Sequence, residues 1–215
     1  MSDATVRLGS VSIALAGKDA GRGILGWSLC DLLDAELDGL PTKVARRSST
    51  STPDPTSTPS PASASPQAPT PTPAPALHSE HVNGIVGIDH VVAMTPNLDR
   101  SVEALQAAGL DLRRIREQPT PAGAPRQAFF RLGETILEVV QEPEEALAAR
   151  PDGTDGPARF WGLALLSEDL ELTVERLGEN VSEIRAAVQP GRRIATLRRS
   201  AGLAVPVALM SRADQ

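Results

Sequence analysis

Residues 84–94, GIVGIDHVVAM, and residues 159–166, RFWGLALL, decide the fold. Each is a short run dominated by apolar side chains, which reads as a strand. Each is followed by a polar residue that can cap a helix: Thr95 or Asn97 after the first, Ser167 or Asp169 after the second. Behind the first cap, Leu98, Val102 and Leu105 recur at helical spacing up to Ala108, and Gly109 closes the helix. Residues 111–117 form a polar-alternating strand, and 119–125 (PTPAGAP) a turn-rich loop. Residues 127–132 and 134–141 are two strands joined tightly at Gly133, and 142–157 form a loop with a short helix over 144–149.

The same order returns after the second run. A helix carries Leu170, Val174 and Leu177. Residues 181–188 read as a strand and Pro190-Gly191 as a turn. Residues 192–198 and 203–210 read as two strands joined near Gly202. The chain from 82 to 211 is therefore two copies of one strand–helix–three-strand unit, over 84–141 and 158–211. This is an α+β domain of paired βαβββ modules.

Upstream, residues 48–76 are almost entirely Ser, Thr, Pro and Ala. They have too little apolar surface to offset the entropy of ordering, so they read as a disordered, stiffish spacer. Residues 1–47 are a short β-rich piece. Arg7-Leu8-Gly9 before Val11–Leu15 resembles Arg131-Leu132-Gly133 before Thr135–Val139, and Trp27-Ser28-Leu29 with Asp31, Leu32 and Leu40 loosely resembles Trp161-Gly162-Leu163 with Asp169, Leu170 and Leu177. The piece reads as a partial third unit. It is too short to bury a core alone, so it is expected to dock on the main domain or to dimerise. The glycine-rich stretch 17–23 matches no nucleotide-binding spacing and reads as a hairpin loop.

Composition narrows the function. Of 215 residues, 2% are aromatic and none is Tyr, so the core must be aliphatic. The net charge of -6 argues against nucleic acid, which needs a clustered basic face. No apolar run is long enough to span a bilayer, and Met1-Ser2-Asp3 does not begin a signal peptide, so a cytoplasmic protein is expected. The single cysteine, Cys30, sits in an apolar run and reads as a buried thiol.

With Ile88-Asp89-His90-Val91-Val92 on its first strand and Leu137-Glu138-Val139-Val140 on its last, the doubled unit resembles the vicinal oxygen chelate superfamily, which includes glyoxalase I, extradiol dioxygenases and bleomycin-resistance proteins. The resemblance implies two curved half-sheets closing into a cup, with metal ligands on the first and last strands of each unit. It places ligands at His90 and Glu138. Strand alternation turns His90 inward with Ile88 and Val92, and Glu138 inward with Ile136 and Val140. Imidazole and carboxylate suit a divalent metal ion acting as a Lewis acid. The second unit departs from the family pattern: Gly162 stands at the histidine position, and Val207 or Ala208, beside Pro206, at the carboxylate position. Three protein ligands are usual at an open catalytic site.

Two functions follow. One is a small-molecule binding protein with an incomplete metal site. The other is a metal-dependent lyase, isomerase or dioxygenase. His78 and His81 could fold back towards His90, one of Phe129 and Phe130 should face the cup and the other the helix layer, and Arg126, Arg131 and Arg193 could meet an anionic substrate.

Overall fold

A computed structural model describes residues 4–46, 81–119 and 123–213. The expected spacer 48–76, His78 and the middle of the 119–125 loop lie outside these residues. Four strands precede the main domain: β1 (Ala4–Leu8), β2 (Val11–Leu15), β3 (Trp27–Cys30) and β4 (Thr42–Ala45). The first unit comprises β5 (Ile85–Thr95), α1 (Leu98–Ala107), β6 (Asp111–Arg116), β7 (Gln127–Leu132) and β8 (Thr135–Gln141). A short helix α2 (Glu144–Ala148) lies in the connection. The second unit comprises β9 (Arg159–Ser167), α3 (Leu170–Leu177), β10 (Arg185–Ala186), β11 (Arg193–Thr196) and β12 (Val207–Ser211).

Strands β5 to β12 form one curved mixed sheet of eight, in the order β10-β11-β12-β9-β5-β8-β7-β6. In each unit the first strand runs parallel to the last, β5 beside β8 and β9 beside β12. The units join where β5 and β9 pair antiparallel. The paired βαβββ architecture is thus present.

Local chemistry accounts for the boundaries. The Asn97 side chain accepts from the Arg100 N–H at 3.1 Å, and that of Asp169 accepts from the Leu172 N–H at 2.9 Å. Each satisfies an orphan donor of a first helical turn. Gly133 adopts a φ of 66° in the tight turn joining β7 to β8, a conformation that costs glycine little.

The second unit's outer strands are shorter than the sequence predicts. Of residues 181–188, only Arg185 and Ala186 form a strand, β10; Val181 bridges Leu197, and the Ser182 N–H donates to the Thr196 carbonyl at 2.9 Å. The Ser182 hydroxyl takes the Thr196 N–H at 2.9 Å, so a side chain replaces part of the ladder. Residues 203–206 stay outside β12, where Pro206 has no N–H to donate.

Two apolar clusters pack the helix side of the sheet. Leu98, Val102 and Leu105 of α1 meet Ala93, Phe130, Leu137 and Val139. Leu170 of α3 meets Ile85, Ile88, Ala195 and Leu209. The N-terminal piece completes both: Leu37 and Leu40 enter the first, Leu8 the second. The Asp38 carboxylate accepts from Arg100 Nε at 2.7 Å and from the Ser101 hydroxyl. The expected docking on the main domain is met. β1 and β2 form an antiparallel pair and β3 and β4 a parallel pair, each separate from the large sheet. Where the likeness to the second unit would place a helix, residues 31–40 run through bends and turns. Two expectations are corrected. Residues 17–23 are not a hairpin loop, because they connect β2 to β3, which belong to different sheets. Cys30 is exposed, because β3 lies at the surface and alternates its side chains outward at Ser28 and Cys30. No helix among the described residues is long and apolar enough to cross a membrane.

Candidate functional site

Cross-strand partners share a face of the sheet, so the registers identify the side chains that line the cup. One row runs Arg114, Phe129, Glu138, Val92, Gly162 across β6, β7, β8, β5 and β9. A second runs Arg116, Gln127, Val140, Met94, Arg159. A third holds Arg131, Ile136, His90, Ala164 and Ala208. Phe130 is fully buried on the helix side, and Phe129 lies on the cup side under the Arg114 guanidinium, 4.6 Å from its ring centroid. The division of the two rings is as expected.

The β5–β9 register slips at three places. It skips Val86 between Ile85 and Gly87, Asp89 between Ile88 and His90, and Trp161 on β9 between Val92 and Ala93. Such bulges re-aim side chains. Ile88 therefore does not face the cup with His90. It packs in the helix-side cluster of Leu8 and Leu170. Asp89 instead comes beside His90, with Oδ2 2.8 Å from His90 Nδ1.

A polar chain is centred on His90. Arg192 Nη2 donates to Asp89 Oδ1 at 2.5 Å, Asp89 meets His90 Nδ1, and His90 Nε2 lies 3.4 Å from Glu138 Oε2. Gln127 Nε2 donates to Glu138 Oε1. The side chains of Arg192, Asp89, His90 and Glu138 are each between 12% and 17% exposed. Burial pushes the Asp89 carboxyl upward, but the hydrogen bonds and charges of His90 and Arg192 outweigh it and hold the group below its ordinary value. An ionised Asp89 accepts the Nδ1 proton, which leaves Nε2 as the nitrogen that faces Glu138. Burial, only partly offset by His90 and Gln127, raises Glu138 above its ordinary value. The 3.4 Å contact is longer than a normal hydrogen bond of about 2.9–3.0 Å. Nε2 and Glu138 are close enough to hold a proton between them after a small movement.

Strand alternation read off the sequence turns His90 and Glu138 to the same face; their proximity comes from the parallel pairing of β5 with β8. Asp89, Arg192, Gln127 and Arg114 escaped that reading. Simple alternation points Asp89 away from the cup, and nothing in the sequence marks the bulge that turns it inward. The three arginines that could meet an anionic substrate have partners of their own. Arg126 pairs with Glu117 at 2.7 Å and Asp99 at 3.0 Å, Arg193 pairs with Glu171, and Arg131 Nε donates to the Gly133 carbonyl at 3.0 Å. His81 does not approach His90. Its Nε2 lies 2.6 Å from the Arg7 carbonyl oxygen, where it ties the start of the main domain to β1.

Two clefts open near the sheet. One, of about 480 Å³, lies between β6 and the 188–190 turn, lined by Arg114, Ile115, Arg116, Val188, Gln189 and Pro190 among others. The other, of about 440 Å³, lies beside Gln141, Glu142 and α2. Neither is lined by His90 or Glu138. The end of the cup beside them is filled by Ala124 packed on Val92 and Val140.

Residues 87–204 match the model of the Glyoxalase/Bleomycin resistance protein/Dioxygenase superfamily. The chain belongs to this superfamily. Among solved structures it is similar to methylmalonyl-CoA epimerase from Mycobacterium tuberculosis, at 18% identity over 64% of this chain and 95% of that one, with a TM-score of 0.51. A hypothetical protein from Bacillus halodurans C-125 is 17% identical over 60% of this chain and 95% of that one, with a TM-score of 0.47. A methylmalonyl-CoA epimerase variant from Streptomyces coelicolor is 21% identical over 59% and 97%, with a TM-score of 0.45. At these identities the likeness concerns the fold. No curated protein sequence matches the chain.

Within the glyoxalase superfamily the implied metal would draw ligands from both units, and the donor set here does not fit one. His90 lies as far before its helix cap Asn97 as Gly162 lies before Asp169. Glu138 pairs with Val92 on β5; the counterpart of that pair in the second unit is Ala208 with Ala164. Gly162 and Ala208 supply no donor atom. A Cβ on Gly162 would stand 2.7 Å from the Pro206 carbonyl oxygen, so the position is closed to any side chain. Gln127 Oε1 is buried without a partner, but its amide nitrogen faces Glu138, which turns the oxygen away from the pair. Among the described residues no group of three or more His, Cys, Asp or Glu side chains is arranged to hold a metal ion.

Proposed function

We propose that this glyoxalase-superfamily chain is a small-molecule binding protein with an incomplete metal site. The observation that carries the reading is the closure of Gly162 by the Pro206 carbonyl, together with Ala208 opposite Ala164. The second unit thereby lacks both of the donors that a two-unit metal site requires. What remains is a half-buried cup face with one polar chain, Arg192–Asp89–His90–Glu138, and apolar walls from Phe129 and Ile136. Such a surface orients a ligand by a few polar groups and buries the rest of it.

A metal-dependent lyase, isomerase or dioxygenase is the second reading, and the proximity of His90 Nε2 to Glu138 Oε2 favours it. One experiment separates the two. Protein purified from unsupplemented medium is analysed for transition metals, and its thermal midpoint is followed while Mn(II), Ni(II), Co(II) or Zn(II) is added. Binding without a metal predicts well under one equivalent and no shift that His90→Ala or Glu138→Ala removes. Near-stoichiometric metal that either variant abolishes would overturn it.

A further inference from the structure

We infer that the cleft between β6 and the 188–190 turn is the ligand site, and that it takes a small organic anion with a short apolar body. The inference rests on the small-molecule reading above and gives it a ligand class. Three observations carry it. First, the cleft has a built cationic wall. Arg114 and Arg116 alternate on β6, so both turn to the cup face, opposite Phe129 and Gln127. Arg116 is half-buried and has no hydrogen-bond or ion-pair partner among the described residues, and the exposed Arg114 guanidinium rests on the Phe129 ring, within electrostatic reach of Glu138 but bonded to no carboxylate. By contrast, Arg113 on the same strand is paired with Asp111 at 3.2 Å, and Arg126 and Arg193 are likewise paired. In a chain of net charge -6, two neighbouring cations bonded to no carboxylate stand out, and Glu117, the carboxylate that lines the cleft, is engaged by Arg126 at 2.7 Å.

Second, the opposite wall, the 188–190 turn, carries apolar side chains. Val188 and Pro190 line the cleft there beside Gln189, and Val188 is 58% exposed; Ile115, 37% exposed, adds apolar surface on the β6 side. A ligand with an apolar portion would cover surface that the chain leaves wet. The volume of about 480 Å³ falls within the range of small-molecule pockets.

Third, the cleft connects to the polar chain. Gln189 lines it, and Gln189 Oε1 accepts from Arg192 Nη1 at 2.8 Å. Arg192 holds Asp89, which holds His90. An anion seated on Arg114 and Arg116 therefore adjoins Gln189, which bonds the first link of the chain that ends at Glu138.

Two-dimensional amide NMR of the full-length protein tests this, with hexanoate and hexanamide as probes and the Arg Nε–H signals included. Hexanoate should produce saturable shifts at Arg114, Arg116 and Gln189, with hexanamide at least about tenfold weaker, the difference expected when a charge-assisted hydrogen bond is replaced by a neutral one. The double variant Arg114→Gln/Arg116→Gln should lose hexanoate binding by a similar factor. Arg113→Gln, which removes one positive charge from the same strand outside the cleft, should bind as the wild type does and so controls for net charge. Arg116→Lys should restore part of the affinity and report that the fold is intact. Equal binding of hexanoate and hexanamide at the cleft overturns the anion assignment and leaves the binding reading standing. Saturable shifts elsewhere in the cup, or hexanoate binding that survives the double variant, overturn the cleft. Failure of both probes to shift any signal overturns the inference and counts against the binding reading as well.

Discussion

The carbonyl oxygen of Pro206 occupies the space into which a side chain on Gly162 would project: an ideal Cβ there falls 2.7 Å from it. The parallel pairing of β9 with β12 brings the two together, since the neighbouring Leu163 N–H donates to the same oxygen at 3.0 Å. The second half of the cup is thus sealed by backbone.

Gly162→Ala should cost about 1–3 kcal/mol through overpacking against that carbonyl, read as a lower urea midpoint at unchanged slope. Gly162→His should cost more and should not create a metal site, because the ring has no space on the cup face. A well-folded Gly162→His variant that gains a metal-dependent thermal shift would contradict this account.

Glu138 is raised above its ordinary value by burial, so its ionised form weighs against the folded state. The folded pKa exceeds the unfolded one. The associated stability is fully present below the unfolded value and is lost as pH rises through the folded value. Glu138→Gln removes that loss. Its thermal midpoint should exceed the wild type's at pH 7–8, and the gap should close on acidification towards about pH 4.

Asp89 behaves oppositely. Held down by His90 and Arg192 against the upward push of burial, it stabilises the fold above its unfolded value, and that contribution is lost as pH falls through the folded one. Asp89→Asn leaves the Arg192 guanidinium without its carboxylate partner and should cost roughly 3 kcal/mol at pH 7. The difference from wild type should shrink in acid, as measured by denaturant titration at several pH values.

Leu37 is fully buried among Leu98, Leu105 and Phe130, although it belongs to the N-terminal piece. Leu37→Ala should cost about 2–5 kcal/mol. A change below about 0.5 kcal/mol would show that the piece does not contribute to the main core.

Cys30 is exposed on β3. It should react with a thiol reagent in the native protein at a rate unaffected by mild denaturant. A rate that rises steeply with denaturant would mean that the thiol is shielded.

The sequence by itself determined the order of the elements, because helix periodicity, caps and apolar runs are local properties. Asn97 and Asp169, Gly133, and the α1 face of Leu98, Val102 and Leu105 were all legible that way. So were the inward facing of His90 and Glu138 and the lack of a donor at Gly162 and at Val207 or Ala208. The tertiary structure decided the rest. A bulge depends on the pairing of two strands distant in sequence, so only the β5–β9 register turns Asp89 towards His90 and Ile88 away from it. The partners of an arginine depend on which strands meet, so only the assembled sheet leaves Arg114 and Arg116 bonded to no carboxylate while Arg126 and Arg193 are paired. Long-range packing likewise set the length of the outer strands, the surface position of Cys30 and the burial of Leu37.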